Sequence, residues 1–294
     1  MTGEEETIAG LPVWEGRPQI EPLSGGITNQ NFLVTDAKKK AVVRLGVDIP
    51  VHHVIRRHEL AASRAAHAAG ISPAVLHHEP GVLVLDYIEG KTLSAEDIRG
   101  EAMLARILPL LHGCHEEIPK YLEGPAVMFW VFHVIRDYAR TLARAESPYA
   151  SDLPRLLEVA ARLEEAAGPF EIRFGHNDLL AANFIDDGKR LWLIDWDYAG
   201  FNSPLFDLGG LASNNAFSRV QERALLEAYF SAPVDAALLR RFDAMKAASL
   251  LRETMWSMVS ELFSTIDFDY ASYTRTNRAA FETAYNAFTQ SQEI

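Results

Sequence analysis

The chain has 294 residues, 48% of them apolar and 10% aromatic, enough for one large core or two modest ones and too apolar for a disordered composition. Its 28 basic and 40 acidic residues leave a net charge of −12, which repels a phosphate backbone, argues against a nucleic-acid partner and suits a small cationic substrate. With Cys114 as the only cysteine, an acidic start "MTGEEETIAG" without a signal-peptide core, and an apolar run from Pro125 far short of the ~20 residues that span a bilayer, the expectation is a cytoplasmic protein that does not insert into membrane.

In chain order, the first third reads as sheet-rich. "QIEPLSGGITNQNFLVTD" predicts a strand, a Gly-rich turn at Ser24-Gly25-Gly26, and a second strand around Asn31–Val34. "KKKAVVRLG" predicts a third strand over Ala41–Leu45, with Arg44 in its middle. "HVIRRHELAASRAAHAAG" predicts a helix stopped by Gly70, with "HHVIRRHE" as its solvated start. "GVLVLDYIEG" is a short apolar strand running into a Gly90 turn. Beyond it, "AMLARILPLLHGCHEE", "FWVFHVIRDYARTLARA" and "SDLPRLLEVAARLEEAAG" have helical spacing, the last with Ser151 or Asp152 as cap and Gly168 as stop. Two short strands near Phe184-Ile185 and Leu191–Ile194 flank "DDGK", a hairpin turn, and a long helix runs from about Asp235 to Phe263. The order predicts an α+β chain of two lobes: residues 1–88 β-rich, residues 89–294 mostly helical.

One constellation carries chemistry. "GHNDLLAANF" contains His176-x-Asp178-x4-Asn183, and twelve residues on the apolar strand "LWLIDWDYAG" ends in Asp195. Phosphoryl transfer needs Mg2+, a hard ion that takes oxygen ligands, and this order of His, Asp, Asn and strand-borne Asp is the kinase signature. Asn183 and Asp195 are the candidate metal ligands. Asp178 stands beside them to accept a hydrogen bond from the attacking hydroxyl. His176 reads as a shaper of this loop, and Asp207 in "FDLG" as a cap or loop anchor. Arg44 is placed to pair with phosphates, Glu59 to hold Arg44, and the Ser24-Gly25-Gly26 turn to bring backbone N–H groups toward phosphate.

Taken together, the Gly-rich turn, Arg44, Glu59, "LDYIEG", "GHNDLLAANF", "LIDWDYAG" and "SPLFDLG" resemble the choline/ethanolamine kinase family, within the aminoglycoside-phosphotransferase-like group. The resemblance covers nearly the whole chain. It implies a two-lobed protein-kinase-like fold, ATP and Mg2+ as cofactors, and nucleotide binding by Ser24, Gly25, Gly26, Thr28, Asn29, Arg44, Glu59, Asp86 and Ile88. It implies as acceptor an amino alcohol, choline first, with ethanolamine, thiamine or another cationic alcohol as alternatives. "ETMWSMVSELFSTIDFDYASY" resembles the segment that encloses choline, so Trp256, Tyr273 and Tyr198 are expected to line the acceptor pocket, joined by Asp197 and Asn214. A quaternary ammonium has no N–H donors, which makes aromatic faces its natural receptor. Two positions depart from the pattern: Glu253 stands where the family often has a tryptophan, and Asn214 where many members have an acid. A homodimer is left open.

Two further motifs have rival readings. The D-x-D of Asp195 and Asp197 also resembles that of haloacid-dehalogenase-type phosphatases, with Asp195 as nucleophile; the motif then ought to open a parallel α/β sheet. His112, Cys114 and His115 sit at a helix end with no second ligand pair at metal spacing, so zinc is not expected.

Overall fold

The computed structural model of the protein describes residues 2–23 and 29–290; the turn residues Ser24, Gly25, Gly26 and Thr28 lie outside them. The small lobe begins with helix α1 (Gly3–Ala9), closed by a capping box between Thr2 and Glu5. Strands β1 (Gln19–Leu23), β2 (Gln30–Thr35) and β3 (Lys40–Leu45) follow, then helix α2 (Arg56–Ala68) and the hairpin β4 (Val75–Glu79) and β5 (Val82–Asp86). The five strands form an antiparallel sheet in the order β1-β2-β3-β5-β4. The two-residue period of β3 decides what each side chain meets. Ala41 and Val43 enter a small core with Ile8, Leu11, Val34 and Val84, while Val42 and Arg44 line a cleft on the other face.

Strand β4 is absent from the sequence reading, because "LHHE" has no apolar alternation to announce it. The expected solvated helix start is also corrected. Pro50–His52 form a 3-10 turn, α2 starts only at Arg56, and both His52 and Glu59 are buried. Helix α2 presents Ala62, Ala65 and Ala66 to the large core rather than the small one, because side chains this short let a helix pack closely on its neighbours.

The large lobe continues with β6 (Lys91–Thr92), α3 (Ala95–Ile98), α4 (Met103–His112), α5 (Val131–Arg144) and α6 (Leu153–Ala167). Short strands β7 (Arg173–Gly175), β8 (Phe184–Asp186), β9 (Leu191–Leu193) and β10 (Gly200–Asn202) come next, followed by α7 (Pro204–Asn214), α8 (Arg219–Phe230), α9 (Ala236–Phe263) and α10 (Tyr270–Gln290). Gly168, at φ +60°, ends α6 as expected. Asp152 precedes that helix but caps nothing, and its carboxylate pairs with Arg278 instead.

Helix α9 is the axis of the lobe. Asp235 caps it through Leu238 N, and Ala244, Ala247, Ala248, Leu251, Met255, Met258 and Val259 are fully buried on several of its faces. Helix α7 crosses it closely because Gly209 has no side chain: a Cβ there would lie 2.9 Å from the Lys246 backbone. Strands β8 and β9 pair antiparallel around Gly188, at φ +85°. Asp195 therefore follows a hairpin strand and not the first strand of a parallel sheet, which removes the basis of the phosphatase reading. Among the described residues, no helix is long and apolar enough to cross a membrane.

Candidate active site

The loop between β7 and β8 is held by residues that the chain brings in from far away. His176 is fully buried; its Nε2 meets the Ile194 carbonyl at 2.8 Å, its Nδ1 accepts from Asp178 N, and its ring tilts against Trp196. Its role is to hold the loop against the end of β9. Asp207 sits inside α7, beyond the Ser203 cap, and accepts from the backbone N–H groups of His176 and Asn177 at 2.8 and 2.7 Å. Burial alone would raise the Asp207 pKa, but the hydrogen bond from His115 and the loop N–H groups keep it lowered.

Sequence reasoning missed Asn177. It adopts φ +64°, donates to the carbonyls of Tyr198 and Gly200, and accepts from Asn202, so it sews this loop to the segment after Asp195. The only hint was an amide in an apolar block. Gly175 is needed beside it, since a Cβ would come within 2.9 Å of Asn177 Oδ1. Cys114, His115 and Asp207 do converge, with donor atoms within 4.8 Å, but His115 is bonded on both nitrogens, to Tyr229 and Asp207. The cluster works as a prop behind the loop.

In front of the loop, Asn183 Nδ2 donates to the Asp178 carbonyl at 2.8 Å, which leaves Oδ1 as its acceptor. Asp195, at φ +71°, places a partly open carboxylate in the cleft shared with Asn183. A cavity of about 340 Å³ runs between the lobes here. One end is apolar, walled by Leu23, Val42, Leu85, Ile185 and Ile194 beside the hinge residues Asp86 and Ile88; the other holds Arg44, Asn183 and Asp195. Two hard oxygen donors at the polar end of such a cleft fit a magnesium ion.

Arg44 is the keystone of that end. Its Nη1 pairs with Glu59 at 2.8 Å and its Nη2 with Asp195 at 2.8 Å. Burial opposes the Arg44 charge, but Asp195, Glu59 and Asp197 more than offset it and its pKa is raised. Burial likewise lifts Glu59 to about 7, against the pull of Arg44. Arg56, not anticipated, joins Glu59 at 2.8 Å to Asp197 at 2.9 Å.

Asp197 is thereby moved out of the expected acceptor pocket. It is buried, bonded to Arg56 and Asn29, and 3.5 Å from Arg44, so its charge is committed to the small lobe. Asn29 belongs to this network and does not line the cleft cavity.

Asp178 is half-buried, and burial drives its pKa to about 8; Arg252 pulls it down, while Glu253, Asp195 and Asp197 push it further up. Asn214 reaches the neighbouring Leu179 carbonyl at 3.4 Å. Trp256 is 3% exposed, lies 4.8 Å from the His52 ring, and donates from Nε1 to Tyr198 Oη at 2.8 Å. It edges a second hollow of about 540 Å³, with Asn29, His52, Ser260 and Tyr270, which contains neither Asp178 nor Asp195. The Tyr273 hydroxyl donates to Glu253 at 2.8 Å. Arg252, unmarked by any motif, lies over the Tyr198 ring at 4.2 Å.

The choline/ethanolamine kinase family model matches residues 20–282. The chain belongs to the choline/ethanolamine kinase family. Among its relatives, the LicA protein of Haemophilus influenzae is 30% identical over 210 residues, 70% of this chain and 61% of that protein's length. Ethanolamine kinase 2 of Mus musculus is 27% identical over 277 residues, covering 84% of this chain and 71% of that one. The solved choline/ethanolamine kinase family protein from Mesorhizobium loti superposes with a TM-score of 0.78 at 28% identity, over 98% of this chain and 96% of that one. The fold is thus the two-lobed protein-kinase-like one, and the family is that of phosphotransferases with an alcohol acceptor.

Proposed function

We propose that this protein transfers the γ-phosphoryl group of ATP to the hydroxyl of a small amino alcohol of the choline or ethanolamine kind. The observation that carries this reading is the meeting of Arg44, Asn183 and Asp195 at the polar end of a cleft whose other end is apolar, with Asp178 bonded through its carbonyl to Asn183 and near enough to feel the Asp195 charge. The apolar end suits a purine ring, and the hinge at Asp86 and Ile88 borders it. Asn183 Oδ1 and Asp195 would hold Mg2+, which when bound neutralises phosphate charge along the transfer path. Arg44, fixed by Glu59, presents its guanidinium to phosphate oxygens from the opposite wall. Asp178 orients the acceptor hydroxyl and takes its proton. A carboxyl whose pKa lies near neutrality is matched to that task better than an ordinary one.

The test is ADP release with Mg2+ over a panel of choline, ethanolamine and thiamine, with Asp178→Asn as control. Turnover with at least one alcohol that falls by a factor on the order of 10²–10⁴ in Asp178→Asn is expected. Absence of any Asp178-dependent turnover sinks the reading.

A further inference from the structure

The aromatic groups expected to enclose a quaternary ammonium are already engaged. Tyr198 has a ring face and a hydroxyl to offer. The face is covered by Arg252, whose Cζ lies 4.2 Å from the ring centroid and 5.7 Å from that of Phe129. The hydroxyl accepts from Trp256 Nε1, and Trp256 lies tilted against the His52 ring. Arg252 is 3% exposed and is a resident cation in the place where a substrate cation would make its cation–π contact. Its guanidinium already occupies that face, and like charge repels a bulky cation seeking the same ring.

What remains open is Glu253, one residue along α9. Its carboxylate is partly exposed and accepts one bond from Arg252 Nη1 and one from the Tyr273 hydroxyl, both at 2.8 Å. A carboxylate has about four lone-pair sites, so capacity for further donors is left. An ammonium carrying N–H groups can fill it with charge-assisted hydrogen bonds; a trimethylammonium cannot.

We propose that Glu253 is the acceptor-specificity residue of this kinase, selecting a primary ammonium over a quaternary one, with Arg252 excluding the latter from the Tyr198 face. The inference rests on the amino-alcohol kinase reading above and names its acceptor class. Sites built to hydrogen-bond a donor discriminate strongly against analogues that lack it.

The experiment is a methylation series: ethanolamine, its N-methyl and N,N-dimethyl derivatives, and choline, assayed for kcat and KM with Mg2+ and ATP. The expected result is a stepwise fall in kcat/KM with each lost N–H, carried mainly by KM and totalling about ten- to hundredfold. Glu253→Gln is expected to flatten the series by weakening ethanolamine while leaving choline nearly unchanged. Arg252→Met is expected to improve choline; the wild-type series and Glu253→Gln decide the matter if that variant does not fold. Choline used as well as ethanolamine, or a Glu253→Gln loss equal for all four alcohols, overturns the proposal and leaves the kinase reading standing. No Asp178-dependent turnover with any of them overturns both.

Discussion

The two ends of the active site are built by opposite means. At the phosphate end, charges are paired across the lobes in a ladder: Asp195 to Arg44, Arg44 to Glu59, Glu59 to Arg56, Arg56 to Asp197. Around Tyr198, the proposed acceptor end, a single buried guanidinium lies over aromatic rings and is paired with one carboxylate, that of Glu253. The first arrangement fixes a geometry that any phosphoryl transfer needs. The second sets one guanidinium against one partly exposed carboxylate that keeps capacity for further donors. The lesson is that a reaction type rests on charges held by several partners, whereas selectivity rests on a group with bonding capacity to spare.

The largest effect expected from breaking this contrast is at the phosphate end. Asp195→Asn keeps the shape but removes the one anionic ligand of the pair, and kcat should fall by a factor on the order of 10³ at saturating Mg2+, with the circular dichroism unchanged. A loss below tenfold would mean that Asp195 does not face the metal.

Next in size is Arg44→Met. Glu59 and Asp197 would share only Arg56, leaving a buried charge uncompensated. Breaking such a pair costs about 3–5 kcal/mol, to be read from the urea midpoint. If stability is unchanged, the ladder is not a unit.

The smallest effect lies between the two ends, at Asp178. Its pKa of about 8 in the fold exceeds the ordinary 3.8, so the folded chain binds the proton more tightly than the unfolded chain. Stability from this group therefore declines as pH rises from about 4 to about 8. Asp178→Asn removes the penalty. Without Mg2+ or nucleotide, its Tm advantage over the wild type should be near zero at pH 4 and grow to a few degrees by pH 8, because the group is half-buried and solvent screens much of the full shift. A difference that does not vary with pH would show that Asp178 is not held protonated.

Much of the architecture was legible in the linear chain, for local reasons. The alternation in "AVVRL" puts Arg44 on the face opposite the small core, and β3 does so. The cap at Asp235 and the run to Phe263 define α9 as read, because helix ends are marked by short-range chemistry. What escaped was long-range. Strand β4 exists because β5 offers it an edge, not because "LHHE" favours a strand. Asn177 is a linchpin only once Tyr198 and Gly200 are folded against it.

Asp195 and Asp197 show the boundary most sharply. They are two residues apart and chemically identical. The left-handed backbone at Asp195 sends one carboxylate to the open cleft, and the half-buried Arg56 and the buried Asn29 capture the other. The order of His176, Asp178, Asn183 and Asp195 by itself determined the family of reaction, since a motif that binds metal and phosphate must keep its ligands at set intervals along adjacent strands and loops. Only the tertiary structure decided which side chains around Tyr198 are buried and which stay open. Helix α9 presents Arg252, Glu253 and Trp256 within little more than one turn, and which of them is buried, paired or open depends on what α5, α7 and α10 pack against them.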